Sequence, residues 1–69
     1  MRSEQEAARA IELYADTVRR ICMLQLKSNS DTEDIFQTVF LKYVLYSGVF
    51  ENEEHEKAWL IRVTLNACK

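Results

Sequence analysis

The side chains best suited to chemistry lie at regular intervals near the end of the chain. Five of them recur at spacings of four, three, four and three residues, the repeat of one helix face: His55, Trp59, Arg62, Asn66 and Lys69. Cations bind phosphates, an aromatic ring can stack on an unpaired base, and an amide can read a base edge. A half-buried tryptophan with solvated polar neighbours would give the same spacing. The stripe is therefore a candidate nucleic-acid surface, with a purely structural role as the alternative.

The sequence offers little for catalysis or for binding a soft metal ion. It contains one histidine, no Ser-His-Asp or Cys-His arrangement and no glycine-rich phosphate loop. No second histidine or nearby cysteine joins the glutamates around His55, so a solvated acidic helix start is the better interpretation. Trp59 stands where a zinc-protease signature would have its second histidine. We expect no enzyme activity, no cofactor and no metal.

Length and composition indicate one all-α domain. The chain has 69 residues, 48% of them hydrophobic, with one glycine and no proline. This scarcity of helix breakers favours a compact three-helix fold. No apolar run is long enough to span a membrane, and the N-terminus lacks the apolar core of a signal peptide, so we expect a cytoplasmic protein. Cys22 and Cys68 form no CxxC pair, which predicts two reduced thiols.

Charge is distributed unevenly along the chain. The formal net charge of −2 would by itself disfavour nucleic acid as a partner. Residues 31–56 carry seven acidic side chains against the one base Lys42, whereas residues 57–69 carry three bases and no acid. Any nucleic-acid contact is therefore expected at the C-terminal end.

Apolar periodicity predicts three helices, over residues 4–27, 31–46 and 53–69. Ser30 and Glu33 have the spacing of a capping box at the start of the second helix, and Gly48 is placed to end it in the left-handed conformation. Asn52 is the expected N-cap of the third helix. All three helices are expected to contribute to one core: Ile11, Val18, Phe36, Phe40, Tyr43, Leu60 and Val63.

The second helix has a further surface opposite its core face. Asp34, Gln37, Thr38, Leu41 and Leu45 lie there at helical spacing. Two leucines beside a carboxylate and an amide indicate a contact surface for a partner rather than a solvated back.

Two segments resemble bacterial sigma factors of the extracytoplasmic-function (ECF) group. The run from Asp31 to Lys42 resembles that family's Asp-Ala-Glu-Asp-Leu-x-Gln-x-x-Phe segment. The run from Lys57 to Asn66 resembles its Trp-Leu-x-x-Ile-Ala-x-Asn segment, at a fitting distance along the chain. The resemblance extends roughly from Tyr14 to Lys69 and implies region 2, the helical domain that binds core RNA polymerase and opens the promoter −10 element.

The resemblance also implies roles for particular residues. The second helix would dock on the clamp helices of the polymerase β′ subunit through Asp34, Gln37, Leu41 and Leu45. The loop from about Ser47 to Glu54 would capture a flipped-out base of the non-template −10 strand. DNA contacts would then fall to Asn52 in that loop and to four residues of the last helix: Trp59, Arg62, Asn66 and Lys69. An anti-sigma factor is a further partner that the family allows.

This resemblance predicts that residues 1–69 form a single region 2-like domain. The family's region 4 and its linker have no counterpart in the sequence, and the third helical pattern reaches Lys69 without a cap, so we expect a fragment of a longer protein. Thr64 and Leu65 depart from the family pattern, where an alanine and an often basic residue stand.

Two other functions are compatible with a small helical domain. An ordinary helix-turn-helix DNA binder would need a short turn before a basic recognition helix, and the interval from Ser47 to Asn52 is long and acidic for that. A protein-only helical adaptor would use the Gln37, Leu41 and Leu45 surface without nucleic acid. Neither would engage both β′ and −10 DNA.

Overall fold

Three helices account for most of the chain in a computed structural model that describes all of residues 1–69. They are α1 (Glu4–Leu26), α2 (Asn29–Leu45) and α3 (Glu53–Ala67), and each packs against the other two. The predicted all-α, three-helix fold is confirmed. No helix combines the length and the apolar character needed to cross a membrane.

The helix starts differ in detail from the sequence prediction. The capping box lies at α1, where the Ser3 hydroxyl accepts from the Glu6 N–H at 3.1 Å and the Glu6 carboxylate accepts from the Ser3 N–H at 3.3 Å. At α2 the predicted cap Ser30 is wrong, because the helix begins two residues earlier. Ser28 is the N-cap, with extended backbone and a side chain that accepts from the Asp31 N–H.

The turns around α2 explain its ends. Lys27 has φ 57°, the left-handed conformation that closes α1 and brings Ser28 into capping position after a very short connection. Gly48 is not left-handed, so that prediction is wrong. Instead α2 ends at Leu45, and Tyr46 continues in extended conformation. A Cβ at Gly48 would lie 2.4 Å from the outer end of the Tyr46 ring, so a larger residue there would have to displace that ring.

One apolar core fills the space between the helices. Its buried members come from all three helices: Ala10, Tyr14, Val18, Cys22, Phe36, Val39, Phe40, Tyr43 and Leu60. Val63 is half-buried at its edge, whereas Ile11 is 38% exposed and was wrongly assigned to the core. The buried positions of α1 follow the four-residue row that starts at Ala10, the ridge geometry of close helix packing, and Ile11 falls outside this row.

A buried carboxylate joins the three helices. Glu56 is only 5% exposed, so the expected solvated acidic start of α3 is wrong at this position. Its carboxylate accepts from the Tyr43 hydroxyl of α2 at 2.6 Å and from the Tyr14 hydroxyl of α1 at 3.1 Å. Arg9 of α1 adds an ion pair at 3.3 Å, and Glu56 in turn raises the pKa of the Arg9 guanidinium by electrostatic attraction. We call these four residues the Glu56 network.

The core assignment predicts a large effect at Phe40, which is buried with its ring 4.8 Å from that of Phe36. Phe40→Ala should lower the free energy of unfolding by about 3–5 kcal/mol through lost burial and a cavity, measured by urea denaturation. Leu41→Ala, at the next and exposed position, is the matched control and should change it by less than about 1 kcal/mol. Equal effects of the two variants would contradict the packing.

The Glu56 network predicts a loss of stability in alkaline solution. Burial, and then the hydrogen bond to Glu56, raises the pKa of Tyr43 to about 12 and also raises the pKa of Tyr14. Tyrosines of the unfolded chain ionise near pH 10, so the contribution of Tyr43 is complete below about pH 10 and is lost as the pH rises toward 12. We expect Tyr43 to account for a fall of about 2–3 kcal/mol in the unfolding free energy over that range.

Urea unfolding at several pH values measures this fall, with Tyr43→Phe as the matched control. The variant keeps the ring but has no hydroxyl to ionise, so its alkaline loss should be smaller than that of the wild type. Parallel pH profiles for the two proteins would show that the Tyr43 hydroxyl does not carry the effect.

Candidate functional site

The outer face of α2 presents the predicted contact residues to solvent. Asp34, Gln37, Leu41 and Leu45 are all exposed, and the two leucines are each 59% exposed. The opposite side of the same helix is buried in the core. One side of α2 is therefore fixed by packing. Its other side carries apolar and polar side chains and has no packing partner in the chain. We call the four residues the α2 outer face.

The predicted stripe on α3 divides into two parts. Arg62, Asn66 and Lys69 are exposed on the surface, whereas Trp59 is half-buried. The Trp59 ring lies 4.7 Å from the Tyr46 ring and 5.6 Å from the Phe50 ring, centroid to centroid. Trp59 therefore packs in the fold as a half-buried side chain, the alternative considered from the sequence. Only the remaining part of its surface is open to a ligand.

The connection between α2 and α3 is held at its C-terminal end by side chains. Asn52 is the N-cap of α3, as predicted, and its Oδ1 accepts from the His55 N–H at 2.8 Å. The His55 Nδ1 accepts from the Glu51 N–H at 3.1 Å, and its ring meets the edge of Phe50. His55 therefore orders the loop, while the Asn52 amide nitrogen stays available as a donor.

The N-terminal segment holds the other side of this loop, which the sequence did not indicate. The Arg2 N–H donates to the Val44 carbonyl at 2.9 Å, and its guanidinium donates to the Gly48 carbonyl at 2.9 Å. The guanidinium also lies over the rings of Tyr43 and Phe50, at 4.9 and 4.8 Å from their centroids. Arg2 precedes α1 and belongs to no periodic pattern, so only the folded structure reveals its role.

Beside Arg2 lies an open concavity of about 400 Å³. Its charged lining consists of two arginines and three glutamates: Arg2, Arg9, Glu6, Glu53 and Glu56. Of the predicted site residues only Asn52 reaches it. Because acids outnumber bases and both arginines already have partners, the concavity is a poor site for a phosphate.

The cations on α3 and just after its end are better placed to contact phosphates. The ion pairs of the molecule involve Arg9, Arg19 and Arg20, all on α1. Lys57, Arg62 and Lys69 are exposed and belong to none of them. The structure brings together no group of three or more side chains that could hold a metal ion.

Comparison with known proteins identifies the family. The sigma-70 region 2 family matches residues 10–69, nearly the whole chain. The chain belongs to this family. No curated protein and no solved structure matches it at a significant level. Sigma factors act in transcription initiation, where they bind core RNA polymerase and promoter DNA, and region 2 is a transcription-factor domain rather than an enzyme.

Membership in the sigma factor family argues against the helix-turn-helix alternative. The connection from Tyr46 to Asn52 does so too, because it is longer than the turn of three or four residues in that motif. The polymerase and DNA assignments of individual residues stay predictions. The structure groups the four polymerase candidates on α2 and places Arg62 and Asn66 on α3. The predicted helix end at Lys69 is wrong, because α3 ends at Ala67 and Lys69 lies two residues beyond it. Asn52 lies apart at the loop. Residues 1–9, which include Arg2, lie outside the family match.

The Arg2 contacts predict a change at the only tryptophan of the chain. Arg2→Ala should loosen the packing of Phe50 and Tyr46, expose more of Trp59, and cost about 1–2 kcal/mol of stability. Fluorescence quenching by acrylamide measures the exposure of Trp59. Arg20→Ala, which removes an exposed ion pair of α1, is the control and should leave quenching unchanged. Unchanged quenching in Arg2→Ala would mean that Arg2 does not order the loop.

Proposed function

We propose that this domain is the polymerase-binding and promoter-opening module of an ECF-group sigma factor. In this proposal the α2 outer face docks on the β′ clamp helices. The loop before α3, together with α3, engages the unpaired non-template strand of the −10 element. Membership in the sigma-70 region 2 family, together with the exposure of the α2 outer face, is the observation that carries the proposal.

The α2 outer face has the composition of a protein interface. Leu41 and Leu45 offer apolar surface on a helix whose position is fixed by its buried side. Asp34 and Gln37 border the leucines and can form hydrogen bonds that set the register of docking. A preformed helix face loses little conformational freedom on binding, which favours affinity.

The DNA contacts divide by chemistry. Arg62 and Lys69 are free cations suited to phosphates, which position a strand without reading its sequence. Asn66 lies between them in sequence, and we assign it to the DNA backbone as well. Base recognition falls to the loop, where the free amide nitrogen of Asn52 can donate to a base edge, and to the exposed part of Trp59, on which a base can stack.

The charge of the domain fits a factor that depends on polymerase for DNA binding. The net charge is −2, and the side chains around the loop are largely acidic. The few exposed cations of α3 can neutralise only about two or three phosphates, so duplex DNA should bind weakly and with a shallow salt dependence. Polymerase would supply the remaining attraction and hold the opened strand against α3.

The docking proposal predicts a selective effect at Leu41. Leu41→Asp should leave the fold intact, because the side chain is exposed, but should weaken binding to β′ by about 30-fold or more. The leucine contact is lost, and a carboxylate is buried without a partner. Leu65→Asp, at an exposed leucine of α3, is the matched control and should bind β′ normally. Normal β′ affinity in a folded Leu41→Asp protein would refute docking through this face.

The DNA proposal predicts that Arg62→Ala weakens binding to all single-stranded −10 oligonucleotides about equally, since a phosphate contact carries no sequence information. Asn52→Ala should instead reduce the preference for the correct sequence. Fluorescence anisotropy with core polymerase present measures both, on single-stranded and duplex oligonucleotides of one sequence. Tight duplex binding by the domain alone, or no preference for the single strand with polymerase present, would contradict the proposal.

A further inference from the structure

The two cysteines of the chain lie against each other although 46 positions separate them in sequence. Cys22 belongs to α1 and is fully buried, whereas Cys68 follows the last residue of α3 and is partly exposed. Their sulfur atoms are 4.0 Å apart, and both are free thiols, as the sequence predicted. What the sequence did not indicate is that they meet across two helices.

We propose that Cys22 and Cys68 are an oxidative modification site, a thiol pair that small disulfide oxidants convert to a disulfide linking α1 to α3. The site stands independently of the proposed polymerase and DNA contacts. It rests on the sulfur–sulfur contact and on the different accessibility of the two thiols.

Closing the bond requires a small movement. A disulfide joins its sulfurs at about 2.05 Å, so the two atoms must approach by about 2 Å. Cys22 is held by the core, but Cys68 lies just past Ala67 at a helix end, where backbone hydrogen bonds open most readily. Movement of the α3 end alone can bring the sulfurs together.

The difference in exposure sets the order of the two steps. The thiolate of Cys68 attacks one sulfur of the oxidant, forming a mixed disulfide and releasing one small thiol. The Cys22 sulfur then attacks the Cys68 sulfur, and the departing small thiolate takes up the Cys22 proton and leaves as the second small thiol. Two protein thiols are oxidised and one small disulfide is reduced to two thiols.

Burial, and then the neighbouring Cys68, raises the pKa of Cys22 to about 11. Cys22 is therefore a poor nucleophile toward a dissolved oxidant and acts only on the sulfur beside it. Proximity compensates for its low thiolate fraction, because the second step is intramolecular.

The linkage would fasten α3 at the end that the Glu56 network leaves free. Glu56 holds the first turn of α3 to α1 and α2, and the disulfide would hold the last turn to α1. Closing a loop of this length between natively adjacent residues should raise the melting temperature by on the order of 10–20 °C.

The test treats the reduced 69-residue chain with oxidised glutathione, stops the reaction with acid and measures the intact mass. We expect the loss of two hydrogen atoms without a lasting glutathione adduct, a raised melting temperature, and reversal of both by dithiothreitol. Unmodified protein, glutathione adducts as the stable product, or disulfide-linked dimers would each overturn the proposal. An oxidised protein whose melting temperature does not rise would overturn the linkage of α1 to α3 in their native positions.

Two variants test the order of attack. Cys22→Ala should accumulate one glutathione adduct on Cys68, whereas Cys68→Ala should remain unmodified while folded, because Cys22 is fully buried. Circular dichroism identifies any variant that fails to fold. If Cys22→Ala does not fold, the Cys68→Ala protein carries the test, because the Cys68 side chain is partly exposed and its removal should leave the fold intact. Rapid modification of Cys22 in folded Cys68→Ala protein would contradict the assigned order.

Discussion

The carboxylate of Glu56 is the contact on which the arrangement of the three helices depends. An ionised group inside a small domain is costly unless it is paired and hydrogen-bonded, and here two tyrosine hydroxyls and a guanidinium satisfy it. The donors come from α1 and α2, so the Glu56 carboxylate ties the first turn of α3 to both other helices. In this arrangement Arg62, Asn66 and Lys69 lie on the surface.

The same packing leaves α2 with one buried side and one exposed side. Its buried side meets both other helices, which fixes the position of Leu41 and Leu45 on the opposite side. The loop after α2 is fastened in turn by Arg2 and His55, and its aromatic rings pack against Trp59. The proposed polymerase surface and the proposed nucleic-acid surface are thereby carried on one small body. This arrangement agrees with the proposed function, in which polymerase binding and promoter opening are coupled.

Local patterns in the sequence were enough for the parts of the fold that depend on helical periodicity. The three helices, the buried positions Phe36, Phe40 and Tyr43, and the exposed α2 outer face follow from residue spacing. One error arises where two local patterns are equivalent. Ser28 and Ser30 each precede an acidic residue by three positions, and only the left-handed Lys27 decides between them. Contacts distant in sequence, such as Glu56 with Tyr14, Arg2 with Gly48 and Cys22 with Cys68, could not be inferred from spacing.

Site-specific photocrosslinking tests most directly whether the α2 outer face meets the polymerase. A benzophenone amino acid in place of Leu41 reports which subunit lies against that position in the assembled complex. The same group in place of Leu24, an exposed leucine on α1, is the reference. We expect a crosslink from position 41 to β′ and a much weaker one from position 24. A β′ crosslink from position 24 with none from position 41 would contradict it.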